Sequence, residues 1–192
     1  MADKTTTTLT AAGPLDGSEL VPIVQGGNSR KTDIEDIRRA VLPNVSARYW
    51  RLNLWAYRET VSGNVSPSAA EIEFRPTIGG ARLTGTASAS SWFDGSTTAD
   101  RAQDGNNSTL WASVASTICW YQLDLGAGNE NTFQELVIRA RLSSSMEQTP
   151  RLFEILSSDD GVRFRSHGVF QDTGAIYTSG EVRTFDVSAI TR

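Results

Sequence analysis

From Ser46 onward, apolar and polar side chains alternate with a period of two. Trp50, Leu52, Leu54 and Ala56 alternate with Arg51, Asn53 and Trp55, and Ala70, Ile72 and Phe74 with Glu71, Glu73 and Arg75. Tyr121, Leu123 and Leu125 alternate with Trp120, Gln122 and Asp124, and Leu136, Ile138 and Ala140 with Val137, Arg139 and Arg141. Phe153 with Ile155, and Phe185 with Val187, give two shorter runs. Successive side chains of a strand point to opposite faces, so each run predicts a strand with one buried face. Together they predict an all-β fold, an antiparallel β-sandwich. Gly79-Gly80, Asp94-Gly95, Asp104-Gly105, Asp160-Gly161 and Ser179-Gly180 supply the turns. No helix longer than two turns is expected after Val45, which argues against a parallel α/β fold. Trp50 and Trp55 fall on opposite faces of one strand, so one core cannot take both.

The first 45 residues read differently. Residues 1–14 are polar and Thr-rich and predict a flexible tail. Residues 15–45 predict a hairpin followed by one helix. Leu20 to Gln25 form a strand, with Pro22 placing it at an edge. Gly26-Gly27-Asn28 form the turn, and Ser29 to Lys31 the return strand. Thr32 then reads as a helix N-cap, with Glu35 completing a capping box. Ile34, Ile37 and Val41 share one helical face, and Pro43 stops the helix. So small a unit cannot bury a core alone. Leu20, Val21, Ile23, Val24, Ile34 and Ile37 are therefore candidate docking or oligomer contacts. Trp55 joins them, since it faces away from the sandwich core. The sandwich itself takes 46–192.

Composition removes several function classes. The formal net charge is −4, and no run of Lys and Arg exceeds two residues, which argues against nucleic-acid binding. No apolar stretch reaches membrane-spanning length, and Met1 to Thr5 lack an apolar signal core. Cys119 reads as a small buried hydrophobe and His167 as a surface turn residue. The carboxylate pairs Glu71/Glu73 and Asp159/Asp160 are not the spaced pair that glycoside hydrolysis needs. No phosphate loop, zinc spacing or nucleophile elbow is present. The expectation is a protein that binds rather than catalyses.

The order of segments resembles the discoidin, or coagulation-factor type C, family of galactose-binding-like jelly-roll sandwiches. The matching residues are Ala70-Glu71-Ile72, Asp104-Gly105-Asn106 through Thr109 to Trp111, Trp120 to Gly126, and Pro150 to Ile155 followed by Ser158-Asp159-Asp160-Gly161 to Phe164. Ala87 to Ser91 is similar to the opening of the family's long first loop. One departure stands out. The A-E-I strand, late in many members, comes early here, as if the closing strand led. Separately, Leu15-Asp16-Gly17 through Gly27, with Arg30-Lys31-Thr32, resembles a short element near the start of bacteriophage tail-fibre and baseplate proteins. That resemblance implies a virion tail component made in the host cytoplasm. It would assemble as a homo-oligomer, a trimer favoured, with other tail or baseplate proteins as partners. Its sandwich would meet a bacterial surface glycan or a protein. The alternative is a purely structural adaptor that binds no glycan.

Two sets of residues carry the candidate chemistry. Family resemblance implies a structural calcium held by Asp104, by Thr109 through its hydroxyl and carbonyl, by the carbonyls of Arg101 and Asn106, and by Glu71. Such a hard cation takes six to eight oxygens. The competing reading of the same loop is a metal-free Asx turn. For carbohydrate, Trp92, Phe93 and Asp94 in the first long loop are the candidates, with Arg141 and Arg151. A sugar's apolar face stacks on a ring while planar polar groups bond its hydroxyls. The competing reading folds Trp92 and Phe93 inward to plug the sandwich. Trp111 and Trp120 are expected in the core.

Overall fold

The computed structural model describes residues 20–25, 28–33, 45–55, 66–114, 118–142, 145–189 and 191. The chain divides into two compact units, Met1–Pro43 and Asn44–Arg192. In the first, β1 (Leu20–Gln25) pairs antiparallel with β2 (Asn28–Asp33), from Leu20↔Asp33 to Gln25↔Asn28. Residues 26–27 lie outside the described residues. Thr32 pairs with Val21 inside β2, which corrects its reading as a helix N-cap: the strand outruns the capping signal. The tail, the predicted helix with Ile34 and Ile37, and Ala56 lie outside the described residues.

The second unit is the expected antiparallel sandwich. Its larger sheet holds five strands in the order β13-β12-β4-β9-β7. These are β4 (Tyr49–Trp55), β7 (Thr86–Ala89), β9 (Ile118–Asp124), β12 (Leu152–Ser158) and β13 (Arg165–Gln171). The facing sheet has the order β14-β11-β6, from β6 (Glu71–Arg75), β11 (Glu135–Arg139) and β14 (Val182–Asp186). Short pairs, β3 (Ser46–Ala47) with β10 (Asn131–Thr132) and β5 (Ser68–Ala69) with β8 (Trp111–Ala112), close the ends. The described residues contain no α-helix, only 3-10 turns at Ala99–Ala102 and Met146–Gln148.

Period two places the core. In β4, Trp50, Leu52 and Leu54 are fully buried. They sit beside Leu123, Tyr121 and Cys119 of β9 and Ser157, Ile155 and Phe153 of β12, because directly paired residues share a face. Ile72, Phe74, Leu136, Ile138 and Phe185 come in from the other sheet. Phe133 is the pivot. Its ring lies 5.3 Å from Trp50 and 4.9 Å from Phe74, and fixes how the sheets meet. Buried ring heteroatoms need partners. Trp50 Nε1 donates to Asn131 O at 3.0 Å, Trp111 Nε1 to Ser91 O at 3.0 Å, and the Tyr121 hydroxyl to Ala99 O at 3.0 Å.

Three expectations change in detail. Trp111 is buried as expected, but Trp120 is half-buried on the outer face of β9, with the Arg51 guanidinium 4.5 Å from its ring. Its place in the polar half of the alternation explains this. His167 is no turn residue: it lies in β13, where the register with β12 slips between Ile155 and Leu156. The bulge lets its Nε2 share a 2.7 Å hydrogen bond with Ser157 Oγ and brings the ring to 5.6 Å from Trp50. Both halves of β11 are buried at Glu135 and Val137, so this strand alternates less than its sequence suggested.

Candidate functional site

The registers put several loops at one end of the sandwich. Ala89 pairs with Tyr121, Trp55 with Ile118, and Leu152 with Trp55. So the segments that follow Ala89 and precede Ile118 and Leu152 leave the large sheet together. In the facing sheet, Arg139 pairs with Glu71 and Val182, and the chain past Arg139 emerges at a single edge. These loops enclose a concavity of about 340 Å³. Phe93 and Asp94 line it from the first loop, Arg141 and Gln148 from the second, with Ser66 and Ser113 between them.

Local bonds hold each loop in place. The Phe93 amide donates to Ala112 O at 2.7 Å, and the Ala112 amide to Thr97 O at 3.2 Å, which ties the first loop to β8. Asp94 then folds an Asx turn. Its Oδ1 accepts from the Ser96 amide at 2.8 Å and the Ser96 hydroxyl at 2.6 Å, and the Ser96 hydroxyl holds the carboxyl below the usual range. Pinned this way, the loop displays Trp92 at 51% exposure and Phe93 at 66%. They do not fold inward. From the second loop, Arg141 Nη1 donates to Gln148 Oε1 at 3.2 Å, and that oxygen also accepts from Ser68 Oγ at 3.3 Å. A planar cation, an amide and hydroxyls thus face an exposed ring, which is the equipment for a small polar ligand with one apolar face.

Phe93, Asp94 and Arg141 are therefore brought together, while Trp92 stands beside the concavity without lining it. Arg151 is elsewhere. It is 5% exposed at the start of β12, and its guanidinium donates to the Gly174 carbonyl. Gln148, Thr97, Ser66 and Ser113 went unread in the sequence. Gln148 sits in the loop already singled out for Arg141, but small polar residues carry no sequence signal for a site.

The Asp104 loop lies after the Ala99–Ala102 turn. Four oxygens crowd the Thr109 hydroxyl: Asp104 Oδ1 at 3.0 Å, Asp104 Oδ2 at 2.8 Å, Asn106 O at 2.7 Å and Arg101 O at 3.4 Å. One hydroxyl proton can serve only one of them. The Thr109 amide also donates to Asn106 O at 3.0 Å, and the Arg101 guanidinium lies 3.8 Å from Asp104 Oδ2. Glu71 is only 3% exposed, and its Oε1 is buried without a hydrogen-bond partner. Burial pushes the Glu71 carboxyl up, Asp104 pushes the same way, and Arg82 opposes both. Carboxylate, hydroxyl and carbonyl oxygens gathered beside an unpartnered Glu71 oxygen fit a hard cation. The Asx turn is also real: the Asn106 amide donates to Asp104 Oδ1 at 2.8 Å. The two readings of this loop are compatible.

The other family-like segments are structural. Asp124 pairs with Arg48 through two bonds, of 2.7 Å and 2.9 Å, and caps the Gly126 amide at 2.8 Å. Asp160 Oδ1 accepts from the Val162 and Arg163 amides at 2.8 Å each, which explains the second carboxylate pair as a turn.

Residues 85–192, more than half of the chain, match the family model described as F5/8 type C domain. No curated protein and no solved structure matches the chain.

Proposed function

Because the chain belongs to the F5/8 type C domain family, a family whose domains are typically binding modules for carbohydrate or protein, we propose that it is a glycan-binding module carried on a bacteriophage tail or baseplate. The observation that carries the binding half is the concavity where Phe93, Asp94 and Arg141 meet from two separate loops. A sugar ring stacks on Phe93, while Arg141, Gln148 and Asp94 bond its hydroxyls. The virion half rests on the N-terminal tail-fibre-like segment. In this reading the hairpin unit docks the module to other tail proteins as a homo-oligomer, through Leu20, Val21, Ile23, Val24, Ile34 and Ile37, and Trp55 of the sandwich is a further oligomer contact. The Asp104 loop holds a structural calcium that stiffens the sandwich beside the site.

Full-length protein on an array of bacterial surface glycans tests the reading. Retention of at least one glycan is expected, weakened at least about tenfold by Phe93→Ala or Arg141→Ala. An array that stays silent, with host adsorption unchanged in both variants, would overturn it. A second reading has its own support. Val114 and Leu142, 44% and 53% exposed, join Trp92 and Phe93 on the loops of this end. Such an apolar rim also fits a protein neighbour, in which case the chain is a structural adaptor. Burial of Trp92 and Phe93 against another subunit in assembled particles decides for it. For calcium, the melting temperature is expected to be higher with calcium than with chelator. Equal values remove the metal.

A further inference from the structure

Glu71 is the first residue of β6 and is paired across to Arg139 of β11. Its two oxygens differ. Oε2 accepts from Arg82 Nη1 at 3.2 Å, while Oε1 is buried without a partner. The Gly105 amide of the Asp104 loop lies near enough to lower this carboxylate's proton affinity. Arg82 touches the same loop. A Cβ placed on Gly105 would lie 3.2 Å from Arg82 Nη2, so the guanidinium rests against the turn itself. Gly105 has φ +76°, and glycine is what lets the turn take this shape with the guanidinium so close.

We infer that Arg82 is a built-in competitor for the cation of the Asp104 loop, and that calcium binds by taking Glu71 away from it. The inference rests on the reading of that loop as a calcium site. A guanidinium neutralises one carboxylate through directed N–H bonds. It cannot supply the many-sided coordination that Asp104, Thr109 and the carbonyls of Arg101 and Asn106 offer a spherical ion. A divalent ion that takes Glu71 as a ligand meets the guanidinium 3.2 Å from that carboxylate, and displacing this charge weakens binding by about tenfold or more at the effective dielectric of a protein surface. Arg82 has a way out. Its side chain is 32% exposed, and it also borders a polar hollow of about 320 Å³ with Thr84, Asn129 and Asn131. Without calcium the ion pair holds Glu71 against the loop. With calcium the guanidinium leaves.

Calorimetric calcium titration of the full-length protein and of Arg82→Met tests this, with melts in calcium and in chelator. Methionine keeps the apolar stem and removes the charge. The variant is expected to bind calcium about tenfold tighter or better. It should melt lower than wild type in chelator, so that its calcium-induced shift is the larger of the two. Equal dissociation constants and equal shifts overturn the role of Arg82 while leaving the calcium site standing. Absence of calcium binding in both proteins overturns the site and the inference together. Should Arg82→Met fail to fold, Arg82→Gln serves. It removes the charge but keeps a hydrogen-bond donor, and is expected to bind calcium tighter than wild type. A dissociation constant unchanged in Arg82→Gln counts against the inference.

Discussion

Single side chains here have opposite electrostatic fates. The Asp124 carboxyl is held below its ordinary range, first by the Arg48 side chain and then by the Gly126 amide. A depressed folded pKa means stability that is present above the unfolded value and lost as pH falls through the folded one. Asp124→Asn is therefore expected to lower the urea midpoint at pH 7, and the gap to wild type should narrow as pH falls below about 3.9. Parallel denaturation curves across that range check it. Glu71 works the other way, because burial raises its pKa. Its contribution favours the fold when protonated and is lost as pH rises from about 4.3 through the raised value. In chelator, Glu71→Gln should flatten the wild-type fall in stability as pH rises above about 4.3, as read by urea midpoints. Cys119 bears out the bland reading of the sequence: burial pushes its thiol up to about 12, against a smaller opposing effect of Ser113.

Among the elements, the turn after β12 shows what a family-like segment does physically. Gly161 has φ +72°, and a Cβ there would meet the Tyr49 ring at 2.9 Å. Gly79 has nearly the same φ, +69°, with nothing within 4 Å of the added atom. Alanine at position 79 should cost about 1 kcal/mol, the conformational penalty alone. Alanine at 161 should cost at least about 1 kcal/mol more, because the aromatic ring must move. Comparing the two variants by chemical denaturation separates backbone strain from collision. The Asp-Gly punctuation of this turn was plain in the sequence, but its dependence on Tyr49, over a hundred residues earlier, was not. The His167 bulge is similar. Arg-Ser-His-Gly reads locally as a turn, and only pairing with β12 keeps it in a strand.

At the scale of the molecule, the family match begins at residue 85, yet β4 and β6 precede it. β4 lies between β12 and β9 in the middle of the large sheet, and β6 flanks β11 in the other. A fragment of 85–192 would expose the edges of both neighbours of β4 and lose Trp50, Leu52 and Leu54 from the core. It is expected not to fold, whereas 44–192, a compact unit in itself, should keep a cooperative melt. Circular dichroism of the two fragments decides. Phe133→Ala, at the contact of the two sheets, should cost about 3–5 kcal/mol by calorimetry in the full chain.

The sequence by itself determined β4, β6, β9, β11, β12 and β14 with most of their inward residues, and the loops that hold candidate chemistry, whereas β7 and β13 exist through their partners. Period-two burial and Asp-Gly turns are local, and local patterns survive without knowledge of partners. Only the tertiary structure decided which candidates share a place. It joined Phe93 and Asp94 to Arg141, set Arg151 inside, and turned Trp120 outward. It also laid Arg82 against Glu71 and Gly105, a triad spread over residues 71 to 105 that no spacing announces. The reason is pairing register. Which loops leave a sheet together depends on strands far apart in the chain, and a side chain's partner is set by that register rather than by its neighbours in sequence.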